Sequence, residues 1–510
     1  MKRALISVYD KTGIVEFSRD LVDLGWEIIS TGGTYKLLKE NNIDAREVNE
    51  VTNFPEILDG RVKTLNPYIH GGILFKRDEK THVDKINELG IEGIDMIVNN
   101  LYPFEETLHK NGITEEEIIE NIDIGGPSMI RAGAKNFKDV IVLIDPRDYK
   151  MVLEKIKEKN DLDLQTKKYL AKKVFNYTAY YDSLIGQYFN KELKDDFPDL
   201  LTLPYRKKTT LRYGENPHQR ASFYLDHEDL KGTIGGMKQI HGKELSYNNI
   251  NDANGAINLL KEFTQASAVA VKHANPCGVG SGSSIEEAFI KAYECDKESI
   301  FGGIVALNRQ VTYDLSLLLN KIFLEIVIAP SFSSEALEVL TQKKNIRLLE
   351  IKEISEKVYK RPAIKQVDGG LLLQDKNLDV LLDDLNIVTN EFPNEKELDD
   401  MVFAWKIAKH ISSNGVVIAK DSASIGIGLG EVNRFWAVEE AIERAGDKAS
   451  GAVLASDGFF PFKDSIEAIA KAGVTCIIQP GGSIKDPEVI EAANKAKIKM
   501  VFTNIRHFRH

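Results

Sequence analysis

The stretch Ala268 to Gly280, AVAVKHANPCGVG, puts an ammonium and an imidazole side by side at the end of an apolar run. Small and β-branched residues in a row read as a buried strand. Adjacent strand residues point to opposite faces, but at a strand end both can turn toward a cleft. A neighbouring ammonium disfavours protonation of an imidazole, so Lys272 beside His273 suits proton acceptance by the ring. Lys272 can also stabilise an oxygen that gains charge. Asn275, Pro276, Cys277 and Gly278 read as the turn that ends the strand. A random Lys–His pair is a surface lysine beside a satisfied histidine; the apolar lead-in and the expected turn favour chemistry.

A second concentration lies near the start. SVYDKTG (Ser7 to Gly13) and STGGT (Ser30 to Thr34) each join a strand to a helix. Free N–H groups at a helix start attract phosphate oxygens. Ser7 and Lys11 from one loop, with Ser30, Thr31, Gly32, Gly33 and Thr34 from the other, could hold one phosphate between neighbouring strand ends. Either loop alone reads more readily as an ordinary tight turn, since Gly-rich turns are common. Arg61, Lys63, Thr64 and His70 follow in one weakly periodic stretch, then Asn99, Asn100 and Tyr102 off a strand end. Asp123, Gly125, Gly126, Arg131, Lys135 and Asn136 come next, and a turn followed by a helix could bring Asp123 and Lys135 to one cleft. A Lys–Tyr–Asp group moves protons and stabilises charge without a metal.

Other loops carry ligand-type residues. Arg212 and Tyr213 precede a turn, and the amides of LSYNNIND suit capping and turn chemistry. In SDGFFPFKD, Phe459, Phe460 and Pro461 could wall a flat ring, with Asp464 beside them, or could equally plug a core. Arg506 stands in a basic tail. KHANPCGVG lacks the second thiolate and the acid/base glutamate of a zinc deaminase, so no catalytic metal is expected. No phosphate-binding P-loop motif occurs.

The elements that must position these groups follow from pattern. At 510 residues, two or more domains are expected. Strands alternate with helices over the first 150 or so residues, which indicates an α/β layer with a mainly parallel sheet. Prolines and charge clusters place a boundary near residue 198, dividing 1–198 from 199–510. A second α/β block follows, split at about 365 into 199–365 and 366–510. The net charge of −11 argues against broad binding to nucleic acid or to an anionic membrane. Three scattered cysteines fit a reducing cytoplasm. The N-terminal apolar run is too short for a signal peptide, and no window approaches a membrane span.

Taken in order, DKTG, STGGT, GRVKTL, NLYPF, IDIGG, RAGAKN, RYGENPHQ, LSYNN, KHANPCG, ASDGFFPF, QPGGSI and TNIRHFRH resemble one family over essentially the whole chain. It is the bifunctional purine biosynthesis family, which joins a 5-aminoimidazole-4-carboxamide ribonucleotide formyltransferase to an inosine monophosphate cyclohydrolase. The resemblance implies a methylglyoxal synthase-like N-terminal domain and a C-terminal pair of cytidine deaminase-like α/β/α units. It implies 10-formyltetrahydrofolate as co-substrate, no catalytic metal, and a homodimer whose transferase sites span the interface. By the same resemblance His273 takes a proton from the substrate amine, Lys272 stabilises the developing oxyanion, and Asn414 lies near the formyl group. Phe459, Phe460, Pro461 and Asp464 fall on the folate side, and Arg212, Tyr213 and Arg506 grip the nucleotide. Lys63, Tyr102, Asp123 and Lys135 match the ring-closing positions. Ser7, Lys11, Ser30 to Thr34, Arg61, Thr64, Gly125 and Gly126 match the nucleotide site of that domain. Tyr9, Asn66, Tyr68, Ser412 and Glu431 depart from the usual family residues. The last two make the transferase cleft more negative, which bears on folate affinity. A single-activity enzyme and a non-catalytic nucleotide binder are the competing readings.

Overall fold

The strand Arg3–Val8 shows why the first run of residues folds as it does. Ala4, Ile6 and Val8 pack into one apolar cluster and Leu5 into another. Both faces are therefore covered, as a parallel sheet requires. It lies at the centre of a five-stranded sheet in the order Arg46–Glu47, Glu27–Ser30, Arg3–Val8, Met96–Asn100, Ile141–Leu143, all parallel. Helices Ile14–Asp23 and Tyr149–Lys159 cover one face. Pro67–Leu74, Gly125–Lys135 and the long Leu164–Leu193 cover the other. The strand order reverses between Arg3–Val8 and Met96–Asn100, and the crevice at such a reversal is where α/β sheets bind ligands.

The computed structural model describes residues 1–356, 361–381 and 384–510. The chain forms two compact units, Met1–Tyr205 and Arg206–His510. The proline-containing stretch after the long helix belongs to the first unit, held by Gln187 Nε2 donating to the Thr202 carbonyl at 2.6 Å.

The six apolar runs that read as buried strands in the second unit, ASAVAV, GGIVAL, LEIVIA, GVVIA, GAVLAS and VTCIIQP, all supply strands of one mixed, twelve-stranded sheet. Its order reveals a duplication. In the first half, the hairpin Ala266–Lys272/Asn275–Gly282 is followed outward by Ile304–Leu307, Ile326–Ala329, Arg347–Glu350 and Lys238–His241. In the second, the hairpin Val416–Lys420/Ala423–Gly428 is followed by Val453–Ser456, Cys476–Gln479, Lys499–Phe502 and Asn386–Ile387. Both halves share one sequence of parallel and antiparallel pairings, and they join where Gly280 pairs with Ala423. Helices Tyr247–Leu260 and Glu395–Ala408 bury one common core across both halves. Each half has its own core on the opposite face. Glycines permit the closest helix–strand approaches. A Cβ at Gly280 would lie 2.4 Å from the Ala288 carbonyl, and one at Gly428 2.1 Å from that of Ala437.

The expected NPCG turn is not where the chain reverses. Asn275–Gly282 is a strand, and the reversal is the two-residue turn His273–Ala274. Proline is tolerated at position 276 because the register slips there, between Pro276 and Gly278.

Candidate active sites

In the smaller unit the candidate residues gather at the carboxyl ends of the central strands. Ser7 Oγ and Thr31 Oγ1 are 2.7 Å apart. Lys11 Nζ donates to Thr34 Oγ1 at 2.9 Å and to the Val8 carbonyl, and burial lowers its pKa. Two hydroxyls turn out to serve the framework. Ser30 Oγ donates to the Ile6 carbonyl at 2.8 Å, and Thr34 Oγ1 donates to that of Val8 at 3.1 Å. Thr31 caps the helix Gly32–Glu40 without a side-chain bond, so the N–H groups of Gly32 and Gly33 stand open to an anion.

Lys63, Tyr102 and Asp123 form one electrostatic group. Burial raises the pKa of Asp123, against backbone N–H groups of Gly126 and Tyr102 and the charge of Lys63. Burial also raises that of Tyr102, helped by the carboxylates of Asp123 and Glu56. Lys63 Nζ lies 3.9 Å from where a Cβ of Gly32 would stand, and Thr64 Oγ1 3.0 Å from one on Gly125. A basic group, a protonated phenol and a carboxyl with raised proton affinity therefore stand beside an open helix start. Arg61 pairs with Glu120. Lys135 is exposed at the far end of Gly125–Lys135, roughly 15 Å along the helix from Gly125. Tyr9 packs edge-on to Tyr102, with ring centroids 6.0 Å apart.

In the larger unit Lys272 and His273 line a cavity of about 630 Å³ with Asn275, Cys277, Asp296 and Arg444. The turn places His273 at the surface, while Lys272 Nζ donates to the Phe301 carbonyl at 3.0 Å. Burial pushes the Cys277 thiol up to about 12, which leaves it inert. Asn275 Oδ1 accepts from Ser412 N at 3.3 Å and Ser412 Oγ at 3.2 Å, so this turn meets the loop that carries Asn414. Arg212 donates to the Tyr213 hydroxyl at 2.9 Å. That pair acts electrostatically on Arg347, which faces Glu325 at 3.6 Å. Glu325 in turn acts on Asp252, beside the His273 turn.

The folate-side loop divides by burial. Phe460 is fully buried in a core, its N–H bonded to Gln479 Oε1 at 3.0 Å, so it plugs the fold and cannot wall a ligand. Phe459 is 39% exposed and free to do so. Asp464 opens a helix, and Arg506 lies over the Phe508 ring at 4.8 Å.

Two pairs of residues were missed by sequence reasoning. Arg434 and Asp457 are buried and paired, and Arg434 Nη2 donates to Asn414 Oδ1 at 2.8 Å. Ser413 Oγ also donates to Asp457. Phe301 and Phe323, exposed and 5.2 Å apart, flank the Lys272 contact as a further aromatic wall. Among the described residues no group of three or more His, Cys, Asp or Glu could hold a metal ion.

The chain matches the AICARFT/IMPCHase bienzyme family over residues 133–444 and an MGS-like domain over residues 13–128. It is 56% identical to the bifunctional purine biosynthesis protein PurH of Caldicellulosiruptor saccharolyticus over 513 residues, covering 100% of both chains. It is 56% identical to that of a Thermoanaerobacter species over 510 residues and 54% identical to that of Bacillus subtilis over 511, again with 100% of both chains covered. Among solved structures it is similar to the crystal structure of ForH, at 34% identity over 37% of this chain and 97% of that one, with a TM-score of 0.35. With a fold of an MGS-like unit and a duplicated α/β/α unit, and with identity above one half from end to end, this chain belongs to the PurH family of AICAR formyltransferase/IMP cyclohydrolase bienzymes.

Proposed function

We infer that the larger unit transfers the formyl group and the smaller unit closes the ring. The chain is a bifunctional enzyme of the last two steps of de novo purine synthesis. The formyl donor is 10-formyltetrahydrofolate and the acceptor 5-aminoimidazole-4-carboxamide ribonucleotide. The acceptor amine is a poor nucleophile, because its lone pair is delocalised into the ring. His273 takes the proton as the nitrogen attacks, Lys272 stabilises the oxyanion, and an amide N–H of Asn414 supports the same oxygen. As the oxyanion collapses, the bond from the formyl carbon to N10 breaks, and tetrahydrofolate leaves with a proton on N10, its release assisted by Lys272. Arg212, Tyr213 and Arg506 hold the nucleotide, and Phe459 borders the folate.

In the smaller unit the carboxamide nitrogen attacks the formyl carbon and water leaves. Asp123, with its raised proton affinity, accepts the amide proton. Lys63 stabilises the charge on the former formyl oxygen, and Tyr102 and the protonated Asp123 relay to it the proton taken from the carboxamide nitrogen. The formamide nitrogen gives up the second proton that completes the departing water. The phosphate rests on Ser7, Thr31 and the Gly32–Gly33 helix start, with Lys11 beneath. Fixing both reacting groups of one molecule supplies much of the acceleration. Lys135 enters this site only from a second copy of the chain, and a homodimer is part of the proposal. Three free thiols accord with a cytoplasmic enzyme.

The observation that carries the reading is the pairing of Lys272 and His273 on one turn at the cavity, joined through Asn275 and Ser412 to the Asn414 loop. Lys272→Ala and His273→Ala are expected to lower formyl transfer by at least about 100-fold. Ring closure of preformed formyl substrate should stay within twofold. Loss of both activities in a folded protein refutes the division of labour.

A further inference from the structure

The duplicated halves carry the same hairpin device, and only one copy carries the reactive pair. His273–Ala274 in the first half (φ 54° and 60°) and Asp421–Ser422 in the second (φ 55° and 56°) are all left-handed. Such a two-residue turn matches the twist of a hairpin but favours glycine, asparagine and aspartate, and Ala274 and Ser422 gain nothing from their own side chains there. Something must hold it. In the second half that is Asp400, whose Oδ2 accepts from Asp421 N at 2.9 Å and Oδ1 from Ser422 N at 2.7 Å. In the first half Asp252 Oδ1 accepts from Ala274 N at 2.8 Å, and its carboxylate also takes the His273 N–H. Both aspartates come from the helix that precedes the hairpin, Glu395–Ala408 and Tyr247–Leu260. On the latter, Gly255 lies on the same face as Asp252, and a Cβ there would stand 3.2 Å from the Ala274 carbonyl. The glycine leaves room for the Ala274 carbonyl at that approach. The corresponding helix turn of the second half carries Phe403.

We propose that Asp252 is a positioning residue for formyl transfer: its carboxylate locks the His273–Ala274 turn and so fixes where the imidazole and Lys272 stand over the cavity. The proposal rests on the reading that His273 is the proton acceptor. Burial raises the pKa of Asp252, and the N–H groups of Ala274 and His273 oppose that rise.

The second half supplies a matched control. Asp252→Asn and Asp400→Asn each disturb one carboxylate under one left-handed turn, in the full-length chain. D252N is expected to lower kcat for formyl transfer by about 10- to 100-fold, as misplacement of a reacting group does. KM for both substrates should stay within threefold and ring closure within twofold. D400N should leave transfer kcat within twofold, with a fall in unfolding temperature like that of D252N. Ala274→Gly in the D252N background should recover at least threefold, because glycine holds a positive φ unaided. The proposal is overturned if D252N keeps transfer kcat within threefold of the parent, or if D400N falls as far. Should D252N fail to fold, Asp252→Glu, which keeps the charge but displaces it by one methylene, is judged by the same threefold criterion. His273→Ala separates the two failures. If H273A retains transfer, the reading of the site is wrong; if H273A is inactive while D252N is not, only the role of Asp252 is wrong.

Discussion

An amide has two chemically different ends, and the neighbours of Asn414 decide which faces where. Arg434 carries only donors, so the atom it meets at 2.8 Å is the amide oxygen. The Glu431 carbonyl only accepts, so it meets the amide nitrogen, at 2.9 Å. By this count one N–H of Asn414 is left over, and it is the group assigned to the formyl oxygen. Arg434 is held in turn by Asp457 and by Ser456 Oγ at 2.7 Å, all of them buried. Arg434→Met therefore breaks two things. It frees the Asn414 amide, which is expected to cost about 100-fold in transfer kcat. It also strands the Asp457 carboxylate, at about 3 kcal/mol of stability. Arg434→Met/Asp457→Asn should regain most of the stability but none of the activity, as measured by urea unfolding and the transfer assay. If the activity returned with the stability, Arg434 would matter only to packing.

At the scale of elements, much was legible and the gaps have physical causes. The alternation of strands and helices in the first unit, and the six apolar runs in the second, follow from period and burial, which a sequence displays directly. Pattern and spacing do not display the duplication, which only the family resemblance implied, because the halves share topology but few side chains; Lys272-His273-Ala274-Asn275 corresponds to Lys420-Asp421-Ser422-Ala423. The NPCG reading failed because left-handed His273 and Ala274, held by a distant helix carboxylate, carry no turn signal of their own. Arg434 and Asp457 read as an ordinary helix residue and an ordinary strand-end residue until the sheet brings them together. Phe459 and Phe460 are neighbours that burial separates, and composition cannot rank them. The basic tail was read as able to grip a ligand, yet its backbone is also pinned. Ser413 N donates to the Arg509 carbonyl at 3.0 Å, and Arg509 N to Ser413 Oγ at 3.1 Å. His507 N donates to the Asp457 carbonyl at 3.0 Å. The tail thus braces the Asn414 loop. A chain ending at Phe508 loses the two Arg509 bonds to Ser413 and the one from its guanidinium to the His410 carbonyl, and its transfer kcat is expected to fall by about 10-fold or more. Ring closure should stay within twofold. Unchanged transfer would mean that the loop holds itself.

The larger unit, taken whole, has one core face common to both halves, and its polar inclusions tie stability to pH. Lys409 Nζ donates to Glu262 Oε1 at 2.9 Å and to the Leu378 carbonyl at 2.7 Å, and His410 Nε2 meets the same carboxylate oxygen at 3.0 Å. Nearby, the fully buried His507 ring packs on Trp405, with centroids 4.8 Å apart. Its Nε2 donates to the Val380 carbonyl at 3.2 Å and its Nδ1 accepts from Asn377 Nδ2 at 2.9 Å, an arrangement that suits a neutral ring. Burial pushes the pKa of His507 down to about 4 and lowers that of His410 as well. In the unfolded chain a histidine titrates near 6.5. Between those values the unfolded state binds more protons than the folded one, so stability rises with pH. The contribution of the neutral ring is complete above about pH 6.5 and is lost as pH falls toward 4, up to roughly 3 kcal/mol for His507 alone. His507→Asn removes the titration. The parent should accordingly lose about 2–3 kcal/mol more than this variant between pH 7 and pH 4.5, as followed by urea unfolding of the larger unit. A gap between the two that stays constant with pH would mean that the ring keeps the same charge in both states, and would remove His507 as a source of acid sensitivity.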